Sequence, residues 1–391
     1  MLILFLIVFI DLVGFGIIIP LLPFFAEHFH ASPAMVGLLM ATYSLTQFIA
    51  APFWGRISDS MGRRPVLLIT LGGSVIAYVI LGFSDSLATL FIARALGGFM
   101  AGNISTAFAY IADITTAQNR AKGMGIIGAA FGLGFIAGPA IGGILAGPDP
   151  ATADFRTPSL AAAALSLTAL LLALVMLKES LSEEIRKRVA EMPRKKRMEQ
   201  FHDALKRPRI GLLIGLSFLS TFVFAGMETT FAMWSERRFA WGPLQNGYLF
   251  AFVGIISALI QGGFVGKLAK RFGEENLILQ GAGALAIGML MIPFSSSLEV
   301  LLAAMIIVAY GFSIINPSLN SLISLQLEPE EQGGIMGVAR SATTMARVVG
   351  PAWAGAMFSG LGMDWPYFGG AVLMIVVLLI GYRSFGSRKT V

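Results

Sequence analysis

Apolar runs of about twenty residues, each closed by a short stretch of charge, glycine or proline, recur from one end of the chain to the other. A helix of that length crosses the hydrocarbon core of a bilayer. The pattern predicts twelve spans, near 2–25, 34–54, 66–83, 87–112, 122–146, 159–177, 210–233, 245–265, 276–294, 298–325, 333–359 and 366–384. The expected fold class is an all-α membrane protein. A polar, basic stretch separates spans six and seven. It divides the chain into a six-helix bundle over 1–177, a cytoplasmic linker over 178–207 and a second six-helix bundle over 208–391. Glu183 through Leu205 can form a short surface helix, interrupted at Pro193, although a solvated linker that fixes topology is the simpler reading. Met1 to Phe25 reads as a retained span rather than a cleaved leader.

The two halves repeat one another. Gly55-Arg56-Ile57-Ser58-Asp59-Ser60-Met61-Gly62-Arg63-Arg64-Pro65 is a charged hinge between spans 2 and 3, with Gly55 and Gly62 expected to permit tight turns. A weaker copy, Gly266-Lys267 to Gly273-Glu274-Glu275, follows 211 residues later. Gly138-Pro139 in span 5 returns as Gly350-Pro351 in span 11. Repeats in matching positions of two apolar halves mark a duplicated transporter with pseudo-symmetric bundles.

Composition narrows the chemistry. The chain is 56% hydrophobic and 13% charged, with 45 glycines, no cysteine and three histidines. Disulfides, thiolate metal sites and thiol nucleophiles are excluded, and a histidine metal site is not expected. No phosphate-binding glycine loop or nucleophilic constellation is visible, so neither an enzyme nor a cofactor is expected. The formal charge of +6 does not require a nucleic-acid partner, because 22 of the 28 lysines and arginines fall in alternate loops, the linker and the tail. That bias places both termini in the cytoplasm.

Five charged residues fall more than one helical turn inside predicted spans: Asp11, Arg94, Glu228, Arg340 and Arg347. Each costs roughly 2.5–3.5 kcal/mol to insert, so each needs a partner or a wet cavity. Asp11, midway along span 1, is a candidate proton-binding group or a structural hydrogen-bonding residue. Arg94 stays charged; it can hold Asp11 ionised or bind a substrate anion. Glu228 can bind a cation or a second proton, or simply be exposed at a helix end. Arg340 and Arg347 are seven apart and share a face, with Arg340 able to snorkel to the surface. Gln47, Asn103, Gln261, Asn316 and Asn320 can line a central cavity or bond helix to helix.

These residues resemble the major facilitator superfamily, in its twelve-span drug/proton antiporter group, and are most similar to bacterial tetracycline/proton antiporters. The likeness is densest at Asp11–Pro23, Gly55–Pro65, Arg94–Gly102, Tyr110–Thr115 with Arg120, and Gly134–Gly143. It implies two six-helix bundles alternating between inward and outward openings. It implies a cytoplasmic latch at Gly55, Arg56, Asp59, Gly62, Arg63 and Arg64, with Asp113, Arg120 and Arg340 nearby and Asp59 facing the start of span 11. It implies proton coupling at Asp11 and Arg94, and antiporter helix packing at Gly134, Gly138, Pro139, Gly142 and Gly143. Tetracycline antiporters carry an acid in spans 3 and 9 where this chain has Ala77 and Leu285. The expected function is proton-coupled efflux of amphipathic small molecules across a bacterial inner membrane, by a monomer. The alternative is proton-coupled movement of an organic anion or zwitterion.

Overall fold

A computed structural model describes residues 1–181 and 206–386; the Glu183–Leu205 stretch lies outside the described residues. Every predicted span coincides with a helical stretch, and no strand occurs among the described residues. The helices are α1 (Leu2–Ile18), α2 (Leu22–His28), α3 (Pro33–Met61), α4 (Arg63–Gly82), α5 (Leu87–Met100), α6 (Ile104–Ile114), α7 (Ala117–Ala146) and α8 (Arg156–Met176). There follow α9 (Pro208–Phe239), α10 (Pro243–Leu259), α11 (Val265–Phe272), α12 (Glu274–Met291), α13 (Leu298–Ser324), α14 (Pro329–Gly360) and α15 (Trp365–Gly386).

Among the described residues, nine helical stretches are long and apolar enough to cross a bilayer, or ten if the bent pair α1–α2 is one span. That pair bends by 41° where Pro20 removes a backbone donor. Two predicted spans fall short of the apolar measure. One is α12, which opens on Glu274-Glu275; the other is α14, which carries Arg340 and Arg347. Charge inside a span is what lowers the apolar signal there.

The charged hinge is shorter than its glycines suggest. Gly55 lies within α3, which continues to Met61, and the turn is made by Gly62 alone at φ 107°. Gly62 closes α3 and opens α4 in a backbone region that side chains rarely adopt. The second half does the same: Gly266 is helical and Gly273 turns at φ 79°. The repeat therefore preserves a single-glycine turn, not a two-glycine loop.

The chain divides into two compact units, Met1–Pro193 with Ala232–Phe252, and Arg194–Phe231 with Val253–Val391. In the first, Leu4, Ile7, Leu67, Leu71, Ile111 and Ile127 form a buried core joining α1, α4, α6 and α7. In the second, α12 and α13 meet where Gly281 lies against the Gly311 carbonyl and Ile315. Small residues let those backbones approach closely.

Candidate functional site

Asp11 sits on α1 facing α8, where the Ser166 hydroxyl donates to its carboxylate at 3.2 Å. Gly14, one turn on, packs against the backbone of Ala162 and lets α8 approach. A cavity of about 20 Å³, room for a single water, adjoins the carboxylate and is lined by Asp11, Asn103, Ile7, Leu67, Leu71 and Ile127. Among the described residues Asp11 has no ion pair; a hydroxyl and a small cavity are its polar surroundings.

Arg94 does not bind Asp11. Its side chain is buried, 4% exposed, and its guanidinium lies 4.2 Å from the centre of the Tyr43 ring. Among the described residues its Nε has no hydrogen-bond partner. Of the two roles read from sequence, holding Asp11 ionised is not what this geometry shows: an aromatic face, itself tilted by 31° against Phe15 at 4.9 Å, lies at the guanidinium instead of the carboxylate. A desolvated cation over an aromatic ring gains about 2 kcal/mol. That offsets part of the cost of burying the charge.

Span 4 breaks after Arg94. A 3₁₀ turn at Ala101–Asn103 separates α5 from α6, and the carbonyls around the break find side-chain donors on α3. Trp54 Nε1 donates to Phe99 O at 2.7 Å and Gln47 Nε2 to Ala101 O at 3.2 Å. Asn103 is buried and donates to Thr70 Oγ1 at 3.0 Å. Gln47 and Asn103 are thus engaged in helix-to-helix bonds, and Asn103 also lines the small cavity beside Asp11. Unpaired backbone groups cannot be left in hydrocarbon, which is why the break recruits them.

At the α3–α4 turn, Arg63 gathers the acids. Its Nη1 binds Asp59 Oδ1 at 2.7 Å and Ser58 Oγ at 2.8 Å, and its Nε binds Asp113 Oδ2 at 3.1 Å. Glu179 then caps α4, accepting the backbone N–H of Arg63 at 2.9 Å and of Arg64 at 3.1 Å. Negative charge is favourable at a helix N-terminus. Asp59 is thereby tied to Arg63 within its own unit. Arg64 reaches the Leu174 carbonyl, Arg56 and Gly55 lie on α3, and the side chain of Arg120 is outside the described residues.

The glycines of α7 form a seam. A Cβ at Gly134 would lie 2.8 Å from Leu12, one at Gly138 would lie 2.6 Å from Gly16, and one at Gly142 would collide with the Ile17 carbonyl. Gly143 faces Pro243 and Gly247 instead, and Pro139 lies inside the helix. The seam fixes α7 against α1 and so holds the backbone that carries Asp11.

In the second unit Glu228 and Arg347 come together, Arg347 Nη1 lying 3.6 Å from Glu228 Oε2. The helices that carry them touch at Gly226 and Gly350, where a Cβ on Gly350 would lie 2.5 Å from the Phe222 carbonyl. Arg340, two turns back on α14, is exposed. Gln261 donates to Ser313 Oγ at 3.4 Å from a π-helical stretch, Asn316 bonds its own helix, and Asn320 is exposed. Ala77 and Leu285 are buried among apolar neighbours. Among the described residues no cluster of acids and histidines could hold a metal.

Sequence reasoning misses Ser166, Tyr43 and Glu179. Tyr43 carried a signal, four residues before Gln47 and therefore on its face of α3. Ser166 and Glu179 act 155 and 116 residues away from their partners, and nothing local marks them.

Comparison with known proteins agrees with this architecture. The family model described as Major Facilitator Superfamily matches residues 4–342 and 263–390. A tetracycline resistance protein, class C, of Escherichia coli is 32% identical over 97% of this chain and 96% of its own length. Multidrug resistance protein 2 of Bacillus subtilis (strain 168) is 31% identical over 95% of this chain and 91% of its own. The crystal structure of the human organic anion transporter MFSD10 (TETRAN) is 26% identical, covers 97% of this chain and 98% of its own, and superposes with a TM-score of 0.72.

Proposed function

Because the chain belongs to the major facilitator superfamily, a family of membrane transporters, we propose that it exports amphipathic small molecules in exchange for protons, by alternating access. The observation that carries this reading is Asp11, a carboxylate within a span whose hydrogen bond is to a neutral hydroxyl and whose open side borders a small cavity. Such a group takes and releases a proton without first breaking an ion pair. Its protonation changes the charge carried by α1, and that charge change is what a proton-driven cycle needs. The tetracycline and multidrug resistance relatives support the substrate class. Ala77 and Leu285, where the family resemblance implies acids, are uncharged and buried, which tells against tetracycline itself as the substrate. The bias of lysine and arginine puts both termini on the cytoplasmic side of a bacterial inner membrane. Asn316, Asn320 and Gln261 are the polar groups of the second bundle available to substrate.

A second reading has its own support. Arg94 is a buried cation with no carboxylate opposite it among the described residues, and the human organic anion transporter MFSD10 is similar to this chain. Both favour an anionic or zwitterionic substrate. Reconstituted vesicles under an imposed pH gradient decide between the two. Proton entry triggered by cationic and neutral amphipathic compounds supports drug export, and proton movement triggered only by anions supports the second reading. No proton movement with any compound contradicts both.

A further inference from the structure

The Glu228–Arg347 pair is built to be opened. Its separation of 3.6 Å is within ion-pair range but beyond a hydrogen bond, so the donors of the guanidinium are not committed to the carboxylate. The two partners also differ in access: the Arg347 side chain is 38% exposed and the Glu228 side chain 12%. Glu228 is fixed on α9 beside the tight Gly226–Gly350 contact. Arg347 continues a polar stripe along α14 that includes Arg340, Thr343 and Thr344. A polar stripe inside a span faces water or a ligand path rather than lipid.

Building on the transporter reading above, we propose that Arg347 receives the carboxylate of an organic anion or zwitterion, which displaces Glu228, and that Glu228 takes up one proton from solvent as the anion binds. Guanidinium offers a planar fork that matches a carboxylate with two parallel hydrogen bonds. A carboxylate arriving along the open side satisfies that fork better than Glu228 does at its present distance. Glu228 is then a shielded carboxylate without a cation, and removing one partner of such a pair is strongly unfavourable unless the other is neutralised. One proton crosses from water to the Glu228 carboxylate; no other bond is made or broken. By reciprocity, proton and anion each tighten the binding of the other.

Among the described residues, no group on a neighbouring helix supplies an alternative counter-charge. Arg347 is the charged side chain that faces Glu228. On α15, Tyr367 contacts Thr230 at 3.5 Å, with Asp364 just before that helix. On α13, Tyr310 bonds Gln280. Arg340 lies two helical turns away on α14.

The test uses the purified full-length chain in lipid nanodiscs with no gradient imposed, so its outcome does not depend on driven transport or on Asp11. The probe is 1-pyrenebutyrate, ionised at both pH 6 and pH 8, with its neutral amide as the comparison. Wild type is expected to bind the carboxylate roughly a hundredfold more tightly at pH 6 than at pH 8, about tenfold for each pH unit over which one proton is taken up. Calorimetry in two buffers of different ionisation enthalpy should show close to one proton taken up. Glu228→Gln should bind with no proton uptake and no pH dependence. Arg347→Lys, which keeps the charge and loses the fork, should weaken carboxylate binding roughly tenfold and leave the amide unchanged. No saturable binding of the carboxylate, pH-independent binding by wild type, or proton uptake that persists in Glu228→Gln would each overturn the proposal.

Discussion

Each half of the molecule places an acid and an arginine within its spans, and the two halves treat them in opposite ways. In the first, Asp11 is held by the Ser166 hydroxyl and Arg94 by the Tyr43 ring, and among the described residues neither has an ionic partner. In the second, Glu228 and Arg347 face each other. Neutral partners leave a carboxylate able to exchange a proton at small cost to its surroundings. A carboxylate opposite an arginine must lose that arginine first. The first arrangement suits a proton carrier that works whatever the substrate, and the second a site where proton and anion are linked.

The comparison breaks most visibly at Asp11. Asp11→Asn is permanently neutral and keeps a hydrogen-bonding group toward Ser166, so accumulation driven by a pH gradient should be lost while passive exchange of labelled substrate persists. The next effect in size is at Tyr43. Tyr43→Ala removes the face under the Arg94 guanidinium, a contact worth about 2 kcal/mol when desolvated, and turnover should fall roughly tenfold or more. Tyr43→Phe keeps the ring and should stay within about twofold of wild type. Equal losses in both variants would assign the effect to the hydroxyl instead.

The scaffold under the first set can be disturbed without touching a charge. Gly142→Ala drives a methyl into the Ile17 carbonyl, and overpacking of this kind costs about 1–3 kcal/mol. Gly125 on the same helix has nothing within 4 Å of its would-be Cβ, so Gly125→Ala is the control. Thermal unfolding in detergent should drop for the first variant only. A drop shared by both would point to α7 as a whole rather than to its seam with α1.

The smallest effect is at the start of α8, the helix that brings Ser166 to Asp11. Asp154 accepts the N–H groups of Arg156 and Thr157 and the Thr157 hydroxyl, and those bonds, the hydroxyl first, hold its carboxyl below the ordinary value. Asp154→Ala should cost about 1 kcal/mol at neutral pH, as loss of an N-cap does. A carboxyl depressed in the folded state stabilises fully above its unfolded pKa and loses that contribution as pH falls through the folded one. Wild type and Asp154→Ala should therefore converge in stability in acid; a gap that stays constant below pH 3 contradicts the cap.

The bundles were legible because a span needs a long apolar run, and runs survive without knowledge of any neighbour. The Gly62 and Gly273 turns were legible as a repeat, although the sequence made the first hinge too long by counting Gly55 as a turn. Charges inside spans announced themselves as Asp11, Arg94, Glu228 and Arg347, since hydrocarbon tolerates few. Their partners did not. Ser166 is one hydroxyl in an Ala/Leu-rich helix, and hydroxyls are ordinary there. Tyr43 replaced the expected acid opposite Arg94 because an aromatic face also attracts a cation, a choice that helix rise cannot reveal. Gln47 and Asn103 read as cavity residues or as helix-to-helix bonds; both bond between helices at the 3₁₀ break in span 4, which no proline marks, and Asn103 also lines the small cavity beside Asp11.

The most direct test of the central claim follows proton flux and substrate flux together in vesicles holding wild type or Asp11→Asn. Wild type should accumulate an amphipathic substrate as protons move the other way, and Asp11→Asn should show exchange of substrate with no coupled proton movement. Accumulation with proton movement in Asp11→Asn at the wild-type ratio would remove Asp11 as the proton carrier.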